Sequence, residues 1–214
     1  MIAHSSIWSS LRNPTYLRLW SALVTSGCFV SAHEMAATWA MNSLRAPPLW
    51  LSLMSSAGTL PFFLFTVPAG ALADLADRQR LLRIFNGWLA CSAGLMACCA
   101  LLGGLTREVI LAGVFLLRAG FAFQAPVASA SIPEIVGKEQ LPSAIALGGI
   151  QMNLAGIIGP ALGGLLIPFV GVSTVFAMNA AAFVLVLAAV ATWNAKPWRS
   201  RLRWRAFSIH WLAQ

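Results

Sequence analysis

Long apolar runs separated by brief polar interruptions dominate this chain, and six of them, 17–41, 49–73, 81–105, 109–131, 144–170 and 172–193, are each long enough to cross a bilayer. A hydrocarbon core of about 30 Å needs roughly 20 predominantly apolar residues per spanning helix, so the pattern predicts six transmembrane helices. Short segments join most of them. The longest, 132–143, reads IPEIVGKEQLPS, and its two prolines and glycine are expected to make helices stop and restart. Six crossings divide into two sets of three, the second inverted because an odd number of crossings reverses the chain. The expected fold is therefore an all-α membrane protein, a 3+3 inverted repeat. Residues 1–16 form its N-terminal segment, 17–193 the bundle and 194–214 a basic tail.

Composition agrees with lipid as the main solvent. The chain is 59% hydrophobic and 9% charged, where a soluble domain carries about 25% charged residues. Residues 1–16 lack the early basic cluster, short apolar core and cleavage site of a secretory signal, so no leader is expected there. The four cysteines, Cys28, Cys91, Cys98 and Cys99, lie within apolar runs without metal-type spacing to histidine and are expected to be small buried hydrophobes.

A net charge of +8 would suggest nucleic acid as the partner of a soluble protein, but the positions of the charges argue for a membrane surface instead. Arg12 precedes the first run and Arg18 lies at its start, Arg78 and Arg80 follow the second with Arg83 at the start of the third, Lys138 follows the fourth, and Lys196, Arg199, Arg201, Arg203 and Arg205 follow the sixth. The opposite side has only Arg45 and Arg107. The positive-inside rule then puts both termini in the cytoplasm, with the bilayer as partner and no nucleic acid. The tail alternates arginines with tryptophans, as a juxtamembrane segment does.

The densest charge lies in the turn from Gly70 to Leu82, GALADLADRQRLL. Here Gly70 is expected to let two helices approach, Asp74 to lie near the positive N-terminal end of the third helix, and the arginines to reach headgroups or nearby carboxylates. The spacing of Gly70, Leu72, Asp74, Arg78 and Leu82 resembles the loop between helices two and three in the major facilitator superfamily of transporters. Leu75, Asp77 and Gln79 depart from that pattern. A second resemblance lies in the fifth run, where Gly159-Pro160-Ala161-Leu162-Gly163-Gly164 is similar to the helix-five motif of that superfamily's exporters. At about 100° per residue, Gly148, Ala155, Gly156, Gly159 and Gly163 share one face on which another helix can pack. The phrases PTYLRLW, AATWAM, LPFF and IPEIVGKEQLPSA further resemble the branch that contains enterobactin-type siderophore exporters.

The resemblance implies the N-terminal half of a secondary active transporter of the cell inner membrane, exporting a small molecule in exchange for protons. It further implies that Asp74, Arg78 and Glu134 belong to a cytoplasmic gate. Transporters of that superfamily normally have twelve helices, so the expected partner is a missing C-terminal six-helix half or a second copy. The alternative is a non-transporting membrane scaffold or degenerate remnant. No metal-spaced histidines, nucleophile constellation or phosphate loop points to an enzyme, and no cofactor or metal is expected.

Ionisable residues inside a membrane are costly, and three occur: His33 and Glu34 in the first run and Arg118 in the fourth. At 1.5 Å per residue, Glu34 and Arg118 come to similar depths in the outer half of the core, within reach of each other. Two readings stay open. Glu34 binds a proton or a cationic group with Arg118 tuning it, or the two form a structural ion pair. His33 is expected to be packed rather than a relay. Trp39, Gln124, Gln151, Asn153 and Asn179 are expected to make contacts between helices or anchor at interfaces.

Overall fold

The computed structural model describes residues 8–193, and these form helices with no strand among the described residues. The predicted basic tail, 194–214, lies outside them. A 3-10 turn at Ser9–Arg12 leads into α1 (Pro14–Ser43), then α2 (Pro48–Leu75), α3 (Arg78–Leu101) and α4 (Arg107–Ala191).

The helix starts are encoded locally. Asn13 Oδ1 accepts from the N–H groups of Thr15 at 3.0 Å and Tyr16 at 3.4 Å, and Pro14 occupies the first turn, where a missing N–H costs nothing. Asp77 caps α3 by accepting from the Arg80 N–H at 2.8 Å, and Thr106 caps α4 through the Val109 N–H at 3.3 Å. Asp74 lies in the last turn of α2, 3.8 Å from Arg78 at the start of α3, and leaves the capping to Asp77. α3 ends at Leu101, short of the predicted 105. The Gly104 N–H bonds Cys99 O at 2.8 Å and the Gly103 N–H bonds Ala100 O at 3.3 Å, which is a Schellman ending.

Where three helices are predicted, over 109–131, 144–170 and 172–193, α4 (Arg107–Ala191) consists of three helical stretches separated by non-helical backbone at Gly137 (φ 74°, ψ 172°) and Gly171 (φ 77°, ψ 166°), and the difference from expectation is that each break is a single residue. Both breaks use left-handed φ values that glycine alone adopts cheaply. The predicted connection 132–143 is helical on either side of Gly137, and its prolines end neither stretch.

Contacts along α1 give the direction of each stretch. Ahead of Gly137, α4 runs antiparallel to α1, pairing Arg118 with Glu34 and Ile135 with Asn13. Between the glycines it runs parallel, pairing Ala144 with Tyr16, Leu147 with Trp20 and Gly159 with Cys28. Beyond Gly171 it is antiparallel again, with Asn179 against His33 and Leu185 to Thr192 beside Arg18 to Thr25. The chain therefore reverses at both glycines, and the three stretches are about 45, 50 and 30 Å long at 1.5 Å per residue.

Side chains from the start of the molecule stitch the first reversal. Asn13 Nδ2 donates to Ile135 O at 3.0 Å, Ser10 Oγ to Gln140 O at 2.8 Å, and Tyr16 OH to Ala144 O at 3.0 Å. Ahead of the break the Ile135 carbonyl belongs to a helix end without intrahelical partners and is met by Asn13, while Ser10 and Tyr16 add bonds to carbonyls of the stretch that follows.

By length and composition, α2, α3 and α4 can each cross a membrane. At 30 residues α1 is long enough as well, but Ser21, Thr25, Ser26, Ser31, His33, Glu34 and Thr38 dilute its apolar character. The core lies where α4 packs along α1, α3 and α2, whereas α1 and α2 barely touch. Ala32, Ala36 and Ala40, spaced four apart on α1, are buried and let α3 and α4 come close, with Leu89, Met96, Phe176 and Phe183 filling the space between. Large apolar side chains such as Phe63, Val67 and Phe169 are at least 80% exposed on the outside, which a lipid surround tolerates and water penalises. All four cysteines are free. Cys28 is buried as expected, while Cys91 and Cys98 lie exposed on α3 instead.

Candidate functional site

Two charges meet within the bundle. Arg118 Nη2, from the first stretch of α4, forms an ion pair with Glu34 Oε1 of α1, and both side chains keep partial exposure, 32% and 43%. The antiparallel run of the two helices brings them together, as their depths predict. Losing either partner leaves the other charge unpaired beside apolar side chains, and the partial exposure of both limits the cost.

The neighbouring His33 faces the opposite way, into the core. It is 1% exposed, and its ring lies 4.3 Å from that of Phe176. Its Nδ1 is 3.2 Å from Asn179 Nδ2 and its Nε2 is 3.3 Å from Met96 Sδ. With Asn179 Nδ2 as donor, Nδ1 accepts and the ring proton sits on Nε2, facing the weakly accepting thioether. His33 is thus packed, and it fastens α1 to α3 and to the third stretch of α4.

Of the other polar positions expected to bridge helices, Gln124 donates to Asn86 Oδ1 at 3.0 Å and Gln151 to Leu23 O at 3.4 Å. Asn153 instead bonds Gly149 O on its own helix, and Trp39 is exposed at the outside. Asn86 was missed by sequence reasoning. It is fully buried in α3 and also donates to Leu82 O at 2.7 Å, and a lone asparagine in an apolar run was the signal.

In the charged turn, Arg78 opens α3 and donates through Nη1 to Glu134 Oε1 at 2.6 Å and to Ala130 O at 2.6 Å. Its Nη2 lies 3.8 Å from Asp74 Oδ1. Glu134 lies one turn ahead of the Gly137 reversal, so this arginine ties the α2–α3 turn to α4. Gly70 does not serve the close approach expected of it, since a Cβ there would meet nothing within 4 Å.

The glycine face of α4 divides in two. A Cβ at Gly159 would come within 2.6 Å of Cys28 O, and one at Gly163 within 3.1 Å of Ala32 O, so both glycines allow contact with the α1 backbone. Ala155 joins them opposite Gly27. Gly148, Gly156 and Gly164 meet nothing within 4 Å, and Pro160 is exposed. Alongside runs a larger groove of about 390 Å³ between α1 and α4, walled chiefly by apolar side chains such as Trp20, Leu23 and Phe121, with Ser26, Gln124 and Gln151 as polar points.

No cluster of three or more potential metal ligands occurs among the described residues.

Residues 5–208 match the family described as transmembrane secretion effector. The chain is 30% identical to the multidrug efflux pump Tap of Mycolicibacterium fortuitum over 186 residues, covering 84% of this chain and 45% of that protein. It is 28% identical to the MFS-type transporter YfiS of Bacillus subtilis over 148 residues, 69% of this chain and 34% of YfiS. Against the enterobactin exporter EntS of Shigella boydii it is 30% identical over 141 residues, 64% of this chain and 32% of EntS. The chain thus spans less than half the length of each of these curated relatives. No solved structure matches it.

Proposed function

This chain belongs to the transmembrane secretion effector family of major facilitator transporters, a family of transporters rather than enzymes, and from that premise we propose that it forms one half of a proton-driven exporter of small molecules. Reversals at Gly137 and Gly171 support counting α4 as three crossings, which with α1, α2 and α3 makes six in a 3+3 arrangement. The excess of arginine and lysine on one side supports an inner-membrane protein with both termini in the cytoplasm.

The Glu34–Arg118 pair carries the reading. A carboxylate held by a cation inside an apolar bundle is a group whose protonation changes what its partner does. When Glu34 takes a proton, Arg118 loses its counter-charge and is free to meet an anionic or polar substrate group. When Glu34 releases the proton, the pair re-forms. Rocking of this bundle against a second one, supplied by the C-terminal half or another copy, would expose the site alternately to each side. On the cytoplasmic face, Arg78, Glu134 and Asp74 form the gate side of this bundle, and Gly159 and Gly163, flanked by Pro160 and Gly164, seat the second stretch of α4 on α1.

The test uses inverted membrane vesicles from cells expressing the complete gene product, with a radiolabelled catecholate siderophore as the acidic probe that Arg118 would meet, ethidium as a cationic comparison, and respiration supplying the proton gradient. Uptake should collapse when the gradient is dissipated and be lost in Glu34→Gln. Uptake of neither ethidium nor a catecholate siderophore in energised vesicles would overturn the transport reading and leave the scaffold alternative.

A further inference from the structure

We propose that the groove of about 390 Å³ between α1 and α4 binds an uncharged aromatic molecule bearing a hydroxyl or N–H donor, held at its floor by Gln124 and Ser26. Naming that molecule a transported substrate rests on the transport role proposed above, but the binding site itself does not.

The groove has an exposed rim and a buried floor. Ala125 and Ser129 of the first stretch of α4 and Met152 of the second are exposed, whereas Ser26 of α1, Gln124 of the first stretch and Phe183 of the third are buried. Its size falls within the roughly 300–1,000 Å³ typical of small-molecule sites. None of its lining residues is Asp, Glu, Lys, Arg or His, so a charge placed in it would be left unpaired at high cost. Trp20, Phe121 and Phe183 contribute aromatic walls. The Trp20 ring N–H is already spent on Leu147 O at 3.0 Å, which leaves the ring as apolar surface.

Two polar side chains at the floor have capacity to spare. Asn86 gives its Nδ2 to Leu82 O at 2.7 Å, so its Oδ1 is the atom that meets Gln124, and Gln124 turns its Nε2 to it at 3.0 Å. That order leaves Gln124 Oε1 as an acceptor, to which no described residue donates. Ser26 is 5% exposed, and its hydroxyl bonds no described residue, although Ser21 and Thr25 nearby each bond a carbonyl of their own helix. Neither atom is sealed from the groove.

These demands select the occupant. An acyl chain would cover the walls and leave Gln124 Oε1 and Ser26 without partners, at a cost for each. Water alone would satisfy those two atoms and be penalised along the apolar walls. A flat aromatic body with a donor meets both demands. Val30 and Phe121 also wall the small cavity beside Glu34 and Arg118, so the groove leads towards the ion pair.

The experiment is equilibrium dialysis of β-naphthol and of its methyl ether against the full chain in lipid nanodiscs, with binding to empty nanodiscs subtracted. The two compounds share a body, and the ether has no donor. The wild type should bind β-naphthol saturably and about tenfold more tightly than the ether. Gln124→Leu should erase that preference. Gly148→Leu fills the groove from a position where a Cβ meets nothing within 4 Å and should remove saturable binding of both compounds, so it decides the matter if Gln124→Leu does not fold. Equal binding of the two compounds by the wild type, no saturable binding, or binding unchanged in Gly148→Leu overturns the proposal and leaves the groove to lipid chains or to a second bundle. A folded Gln124→Leu chain that keeps the preference overturns it as well. Saturable, Gln124-dependent binding by a protein whose energised vesicles take up neither siderophore nor ethidium upholds this inference and overturns the transport role. Energised uptake without naphthol binding overturns this inference and spares that role.

Discussion

Arg78 donates to Glu134 at 2.6 Å, joining the first residue of α3 to the turn of α4 that precedes its reversal at Gly137. The arginine side chain is 11% exposed and the glutamate 45%, so water screens one end of the bond and not the other.

That asymmetry sets the first prediction. Glu134→Gln keeps an acceptor and should lower stability by less than about 1 kcal/mol, as partly exposed pairs do. Arg78→Ala also strips the donor from Ala130 O and Ala73 O and should cost about 2 kcal/mol. Thermal unfolding of the chain in detergent, followed by circular dichroism, ranks the two. Equal losses would mean that the bonds to the carbonyls contribute nothing.

For Glu34 and Arg118 the expected signature is non-additivity. Arg118→Met alone leaves the Glu34 carboxylate without its cation, whereas Glu34→Gln with Arg118→Met removes both charges. The double variant should unfold at a higher temperature than Arg118→Met, with a coupling of about 1 kcal/mol given the partial exposure of both side chains. Additive effects would show that the pair contributes no interaction.

On the glycine face, neighbouring positions should behave oppositely. Gly159→Val places atoms against Cys28 O and should cost about 3 kcal/mol or prevent α4 from seating on α1. Gly156→Ala meets nothing within 4 Å and should be neutral or stabilising by about 0.5–1 kcal/mol through helix propensity. Thermal unfolding of the two variants in detergent separates them, and equal losses would show that Gly159 does not pack on the α1 backbone.

The two reversals depend on backbone sterics. Gly137→Ala and Gly171→Ala, at φ 74° and φ 77°, should each cost about 1–2 kcal/mol, measured by thermal unfolding. Gly148→Ala, in regular helix with open space around it, should not. Comparable losses at all three positions would show that packing and not φ is responsible.

Much of the fold is legible in one dimension because lipid imposes a length and a polarity on every crossing. The caps Asn13, Asp77 and Thr106 went unread, because apolar runs locate the middle of a crossing and not its first turn. Where α3 ends, and that 132–143 turns at one glycine instead of unwinding, was not legible. Proline and glycine signal a break in either case, and carbonyl partners from the N-terminal segment decide how abrupt it is.

The candidate site divides the same way. Counting residues along two helices at 1.5 Å each is enough to bring Glu34 and Arg118 to one depth, so their meeting follows from the order of residues once the crossings are known. Depth says nothing about rotation. Which face of α1 looks at which stretch of α4 depends on how side chains interlock across all of the helices. That is why His33 beside Asn179 and Met96, Asn86 against Gln124, and the split of the glycine face into packed Gly159 and Gly163 and open Gly156 and Gly164 were decided only by tertiary packing. The sequence by itself determined which segments are apolar enough to enter lipid and which charges enter with them, because transfer free energy is a property of each residue. Their partners are a property of the whole arrangement.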